Sequence, residues 1–427
     1  MTISTRKLSL FAVWLATVAA GLTKTLAPPG QGVGGRISIG DLLLIMLIGL
    51  AFLMIMKNRG RIRITRHYLS ILPLFAAFFI SGTFADHQQG AYIELCVHIF
   101  AVLFSLALLN LLPEKMDVLF ARQLTFAILL GAAIMAAYGI VVLFFFPHLN
   151  PVVGGLAGSF RNTGQAGNYF LVFSTIGLAA ILSGLLPRTF FNASMVLTIL
   201  LALILTGKRA SLVGLIAGFL LLLLVLMFVS RKSSDARVGS MFVITSIVVG
   251  VVAFFAISMS LSMVEGAMWR LEAKFTKAGL ENFSSGFYFS NLIAGFTAFS
   301  DRPILGVGLG NIEDVYHEFE IHSTYVALLA TSGVVGFLTY MFFLYNVMKS
   351  VFILSWSNQV ERFLVFFFPL LIGQASAWMY TYSVRKREFW ITIFLIATFS
   401  MIRKRVRMNN EEQSMAVSIK VHRVKHH

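Results

Sequence analysis

The chain has 427 residues, 58% of them hydrophobic and only 12% charged, with a formal net charge of +16. A soluble domain carries about 25% charged residues, so this composition excludes one. Apolar runs of the roughly 20 residues needed to cross a bilayer core recur throughout, and a β-barrel would instead show short alternating segments. The expected fold class is an all-α polytopic integral membrane protein. In a soluble chain the positive charge would point to nucleic acid. Here it follows the bias of Lys and Arg toward the cytoplasmic face, and no nucleic-acid partner is expected.

Apolar windows place twelve spans, near 8–27, 38–57, 68–86, 91–112, 123–147, 167–186, 190–206, 210–230, 239–262, 323–348, 362–383 and 388–402. The first run has the look of a signal peptide, but with so many spans behind it an uncleaved anchor is the expectation. Twelve is even, so both termini share one side. That side carries Arg6 and Lys7, the cluster Lys57, Arg59, Arg61, Arg63 and Arg66, and the basic residues Arg403, Lys404, Arg405 and Arg407. The positive-inside rule makes it cytoplasmic. With no internal repeat, residues 1–408 read as one integral domain and 409–427 as a disordered cytoplasmic tail. The longest outer connection, 263–322, separates spans nine and ten. Cys96, the only cysteine, lies within the fourth span, where it permits no intramolecular disulfide and is expected to be buried filler.

Several cations fall on the disfavoured outer side: Lys24, Arg36, Arg161, Lys208, Arg209, Arg270, Lys274, Lys277, Arg302 and the triplet Arg385, Lys386 and Arg387. Either an anionic ligand meets them or the span count is wrong. The triplet would also suit a hairpin that never crosses. Among acids, Asp41, Asp86 and Glu94 sit near the outer ends of spans. A proton-coupled carrier would place carboxylates at mid-membrane and show repeated halves.

Four outward patches could carry chemistry. GSFRNTGQAGNYF, 158–170, opens the sixth span with Asn162, Gln165 and Asn168 beside free backbone N–H groups, where an anion sits well; an ordinary Gly-rich loop with helix caps reads the same way. LTGKRASLVGL, 205–215, holds Lys208 and Arg209 on a very short connection, as a phosphate clamp or as snorkelling cations. DRPILGVGLGN, 301–311, has the glycines of a nucleotide loop without its strand or its Lys-Ser/Thr, and reads as a turn shaping a cavity floor. HEFEIHSTYVALLATSGVVGFL, 317–338, sets His322 just before a helix. An imidazole there either takes a proton from a hydroxyl near neutral pH or caps the helix. Glu313, Asp314, Glu318 and Glu320 near His317 are irregularly spaced for metal ligands and read as a solvated acidic face.

The order of these motifs (GSFRNTGQ before the sixth span, TGKRA after the seventh, RPILGVGLGN late in the long loop, then HSTYVALLATSGVVGF) resembles the O-antigen ligase and polymerase superfamily of bacterial inner membranes. The similarity is concentrated in 158–340. The resemblance implies a glycosyltransferase working at the periplasmic face without a metal ion or other cofactor. Its donor would be a glycan on undecaprenyl diphosphate, and its acceptor lipid A–core sugar in a ligase, a second lipid-linked glycan in a polymerase, or a protein hydroxyl in the related protein glycosylases. By the same resemblance His322 is the base for the acceptor hydroxyl and Arg209 binds the donor diphosphate. The outward patches and outer cations themselves offer Arg161, Lys208, Arg270, Asn162 and Gln165 as substrate-binding candidates. In one departure, the family's Gly-Arg-aromatic reads Gly286, Phe287 and Tyr288 here. Arg270, Lys274 or the 385–387 triplet are the candidates to replace that arginine. Outside the family, the alternative is a transporter of polysaccharide or lipid-linked sugar.

Overall fold

The computed structural model describes residues 5–26, 37–152, 155–230, 287–317, 320–353 and 357–424. Among them the fold is helical. The helices are α1 (Thr5–Gly21), α2 (Ile39–Lys57), α3 (Arg66–Leu69), α4 (Leu72–Thr83), α5 (Gln88–Asn110), α6 (Val118–Phe145) and α7 (Thr163–Leu182). They continue with α8 (Phe190–Leu205), α9 (Arg209–Ser230), α10 (Phe287–Asp301), α11 (Ile312–Val315), α12 (Thr324–Val351), α13 (Gln359–Ala377) and α14 (Arg387–Val424). Seven are long and apolar enough to cross a membrane: α2, α5, α6, α7, α9, α12 and α13. The span expected at 239–262 and the loop residues 263–286 lie outside the described residues.

Polar residues placed just before apolar runs start these helices. Ser38 and Asp41 form a capping box on α2. Asp117, Asn162, Thr189, Ser323 and Asn358 each accept an N–H from the first turn of α6, α7, α8, α12 and α13, satisfying donors that a helix start otherwise leaves open. Two expectations need correction. The tail expected to be disordered continues α14 as helix to Val424, because no glycine or proline interrupts 387–424. Cys96 is exposed: α5 buries the face of Ala91, Leu95, His98 and Val102, and Cys96 lies off it beside exposed Val97.

Helix α7 is central. Every residue from Ala166 to Leu182 is buried, and it packs against α6, α8, α9 and α13. Where α9 crosses α13, Gly214 and Gly218 meet Gly373, and a Cβ on Gly214 would lie 2.7 Å from the Gly373 carbonyl oxygen. Helices in lipid have no hydrophobic drive to associate, so close packing of small residues takes its place. This contact fixes how α9 presents its first residues.

Ion pairs and capping bonds sort the helix ends into two groups. At one end Arg387 bonds Asp41 at 2.5 Å, Arg385 joins Glu94 at 3.0 Å and Glu320 at 2.5 Å, and Arg302 pairs with Asp86 at 2.7 Å. At the other, Arg6 meets Asp117, Arg122 donates to the Leu185 carbonyl and Arg407 pairs with buried Glu361. The starts of α2, α5, α12 and α14 therefore share the first end, and Arg6 and Arg407, both expected to be cytoplasmic, lie at the second.

The glycine-rich 301–311 stretch packs against a break in α12. Gly333 has φ +63 inside that helix. Across the break, Val307 and Gly308 donate to the carbonyls of Ala330 and Thr331, while Val334 and Val335 donate to those of Pro303 and Ile304. Gly306, at φ +73, approaches so closely that a Cβ there would overlap the Ser332 backbone. The glycines thus serve a close backbone splice.

Candidate functional site

The first turn of α7 forms one wall of the site. Asn162 Oδ1 accepts the Gln165 N–H at 2.9 Å. Gln165 Oε1 accepts from Thr23 Oγ1 at 2.7 Å, and that hydroxyl also takes the Arg161 N–H at 3.0 Å. Lys208, just before α9, lies along this turn. A Cβ on Gly167 would come within 2.8 Å of Lys208 Cβ, and one on Gly164 within 3.5 Å of Lys208 Nζ. The glycines of the GQAG run thus leave the groove that the lysine stem fills, and its ammonium reaches the positive end of α7.

Behind the ammonium a polar seam binds four elements together. Ser211 Oγ donates to Asn168 Oδ1 at 3.2 Å, and Asn168 Nδ2 donates to Thr381 Oγ1 at 2.9 Å. Lys386 Nζ donates to the same hydroxyl at 2.8 Å. Thr324 Oγ1 donates to the Thr381 carbonyl at 2.6 Å and accepts the Ser383 N–H at 3.0 Å. Residues of α7, α9, α12 and the turn before α14 are therefore fixed to one another.

His322 enters from the segment before α12. Its Nδ1 lies 2.7 Å from the Glu320 carbonyl oxygen. A carbonyl only accepts, so Nδ1 carries the proton and Nε2 keeps the lone pair. Buried Asn291 of α10 holds the two successive peptides around Ile321, with Oδ1 accepting the His322 N–H at 2.7 Å and Nδ2 donating to the Glu320 carbonyl at 3.0 Å. Burial lowers the imidazole's proton affinity. The carbonyl bond works against that, and the charges of Lys208, Lys386 and His317 add to it. Histidine and both lysines therefore share one electrostatic neighbourhood.

Burial makes both ammoniums less stable. It lowers the Lys208 pKa and pushes that of Lys386 down to about 8, with Glu388 opposing and Lys208 adding to the fall. Any anion entering between them relieves this cost. Arg385 differs, because Glu320 and then Glu94 hold it firmly charged against its burial. Arg387 is committed to Asp41, Ser38 and the carbonyls of Ala19 and Leu22. Of the triplet, only Lys386 helps to depress the proton affinity of His322.

The structure thus gathers Lys208, Asn162 and Gln165 around the α7 start and sets Lys208 within electrostatic reach of His322. Arg209 opens α9 one residue further on. Arg161 is exposed and touches the site through its backbone. Arg270 and Lys274 lie outside the described residues, and Phe287 begins α10. Sequence reasoning missed Asn291, which no local signal marks, and singled out Lys386 only as part of the triplet. Several outer cations have internal partners, which neither an anionic ligand nor a miscount anticipated: Arg302, Arg385 and Arg387 meet Asp86, Glu94, Glu320 and Asp41.

A search of curated proteins finds no match. Residues 194–341 match the family model described as O-antigen ligase. The matched stretch runs from α8 into α12 and includes Lys208, Arg209, Asn291 and His322, while the start of α7 and the turn bearing Lys386 lie outside it. The likeness to that family therefore rests on residues 194–341.

Proposed function

We propose that this protein transfers a glycan from undecaprenyl diphosphate to an acceptor hydroxyl at the periplasmic face of the inner membrane, as an O-antigen ligase. The observation that carries this reading is His322, whose Nδ1–H rests on the Glu320 carbonyl so that Nε2 bears the lone pair, with Lys208 and Lys386 in electrostatic reach. The acceptor O–H gives its proton to Nε2 as its oxygen bonds to the anomeric carbon. The bond from that carbon to the diphosphate oxygen breaks, and the anomeric centre inverts. The leaving diphosphate gathers negative charge, which Lys208, Arg209, Lys386 and the α7 N-terminus stabilise. Lys386 takes the place of the family arginine that Phe287 replaces. The proton on His322 then passes to water.

Lipid A–core is the proposed acceptor. A strain lacking the protein should accumulate finished polymer on its lipid carrier. If it accumulates single repeat units instead, the chain is a polymerase of the same family. Movement of glycan across vesicles with no new glycosidic bond would make it a transporter.

A further inference from the structure

His322 is a useful base only while its ring stays in one tautomer and one place. Its Nδ1–H is held by a backbone carbonyl, and that carbonyl belongs to Glu320. Asn291 clips the peptide from the α10 side. On the other side the Glu320 carboxylate is fastened by Arg385, whose Nη2 lies 2.5 Å from it and whose Nη1 lies 3.0 Å from Glu94 on α5. The guanidinium also lies 5.9 Å from the Tyr382 ring centroid. Tyr382 OH in turn meets His98 Nε2 at 2.7 Å, and His98 Nδ1 lies 2.7 Å from the Glu94 carbonyl oxygen. The His322 segment is thus tethered to a buried cluster on α5.

The geometry points to Arg385 as a positioning residue that fixes the tautomer and placement of the His322 ring through Glu320. This rests on the reading of His322 as base. Arg385 touches neither reacting group, and its two carboxylates consume its charge, so it adds nothing to an anion site. Its fork spans two carboxylates with separate nitrogens. A lysine is a single point charge and can serve one of them at a time. Losing the fork frees the Glu320 side chain, lets its carbonyl turn, and allows the proton to exchange between Nδ1 and Nε2.

The test compares purified full-length wild type, Arg385→Lys and Glu320→Gln in micelles, with His322→Gln as a reference. Ring-15N histidine spectra report the tautomer, with the His322 signals assigned by their loss in His322→Gln. Wild type is expected to show one neutral form, protonated on Nδ1, and both clamp variants an averaged pair of signals. Their kcat should fall roughly 10- to 100-fold, with the donor KM within about threefold. Because the two changes break one link, the double variant should be no slower than the worse single. Glu320→Gln keeps the carbonyl and Arg385, so it tests the clamp even if Arg385→Lys folds poorly. An unchanged tautomer signature in both variants, or an unchanged kcat, overturns the inference. Loss of activity in His322→Gln with both clamp variants fully active overturns the clamp alone. Full activity in His322→Gln overturns the base, and the spectra still decide whether Arg385 sets the ring.

Discussion

His322 sits among groups that disfavour its protonated form: its own burial, then Lys208 at the start of α9, Lys386 in the turn before α14, and His317. Only the neutral ring accepts a proton, so activity should rise with pH through a midpoint below the ordinary histidine value of about 6.5 and then level off. Replacing Lys208 with Met removes one depressing charge. The midpoint should then move to higher pH, and the donor KM should rise because a diphosphate contact is lost. A pH–rate profile checks both. A midpoint that stays put or moves to lower pH would show that the ammonium does not face the ring.

Among elements, the break in α12 is the most constrained. Gly333 lies at φ +63, and a Cβ there would collide with the Ile304 carbonyl. Gly333→Ala is therefore expected to destabilise by at least ~1–3 kcal/mol, read as a lower melting temperature in detergent. An Ala substitution at Gly49, where a Cβ meets nothing within 4 Å, should leave melting nearly unchanged. The TSGVVG run reads in sequence as continuous span, because periodicity registers apolar length and does not register where 303–308 will lie against it. The same holds for α10. Its SNLIAGFTAFS run sits in a stretch read as loop, and only the fold makes Asn291 the clip on the His322 peptide. The seven helices long and apolar enough to cross a membrane were legible as apolar runs, because hydropathy and length decide them locally. The partners Arg385–Glu320 and Lys386–Thr381 were not, since both depend on how the turn before α14 docks.

For the whole molecule, two opposed ends organise everything. One holds His322, Lys208 and Lys386 over the start of α7, and the other collects Arg6, Arg122 and Arg407 on their carbonyl and carboxylate partners. Charge bias in the sequence already separates these ends. In a Cys96→Ser background, an impermeant thiol reagent applied from the periplasmic side should label Arg161→Cys and spare Lys57→Cys, both at exposed positions. Reversed labelling would invert the orientation. At the first of these ends, His322 is proposed to remove the acceptor proton in a glycan transfer. Its most direct test is in vitro transfer from a defined lipid-diphosphate glycan to lipid A–core by purified wild type and His322→Ala. The variant should remain in the membrane fraction and bind donor, with transfer slowed about 10²- to 10⁴-fold; transfer at the wild-type rate would show that His322 is not the base.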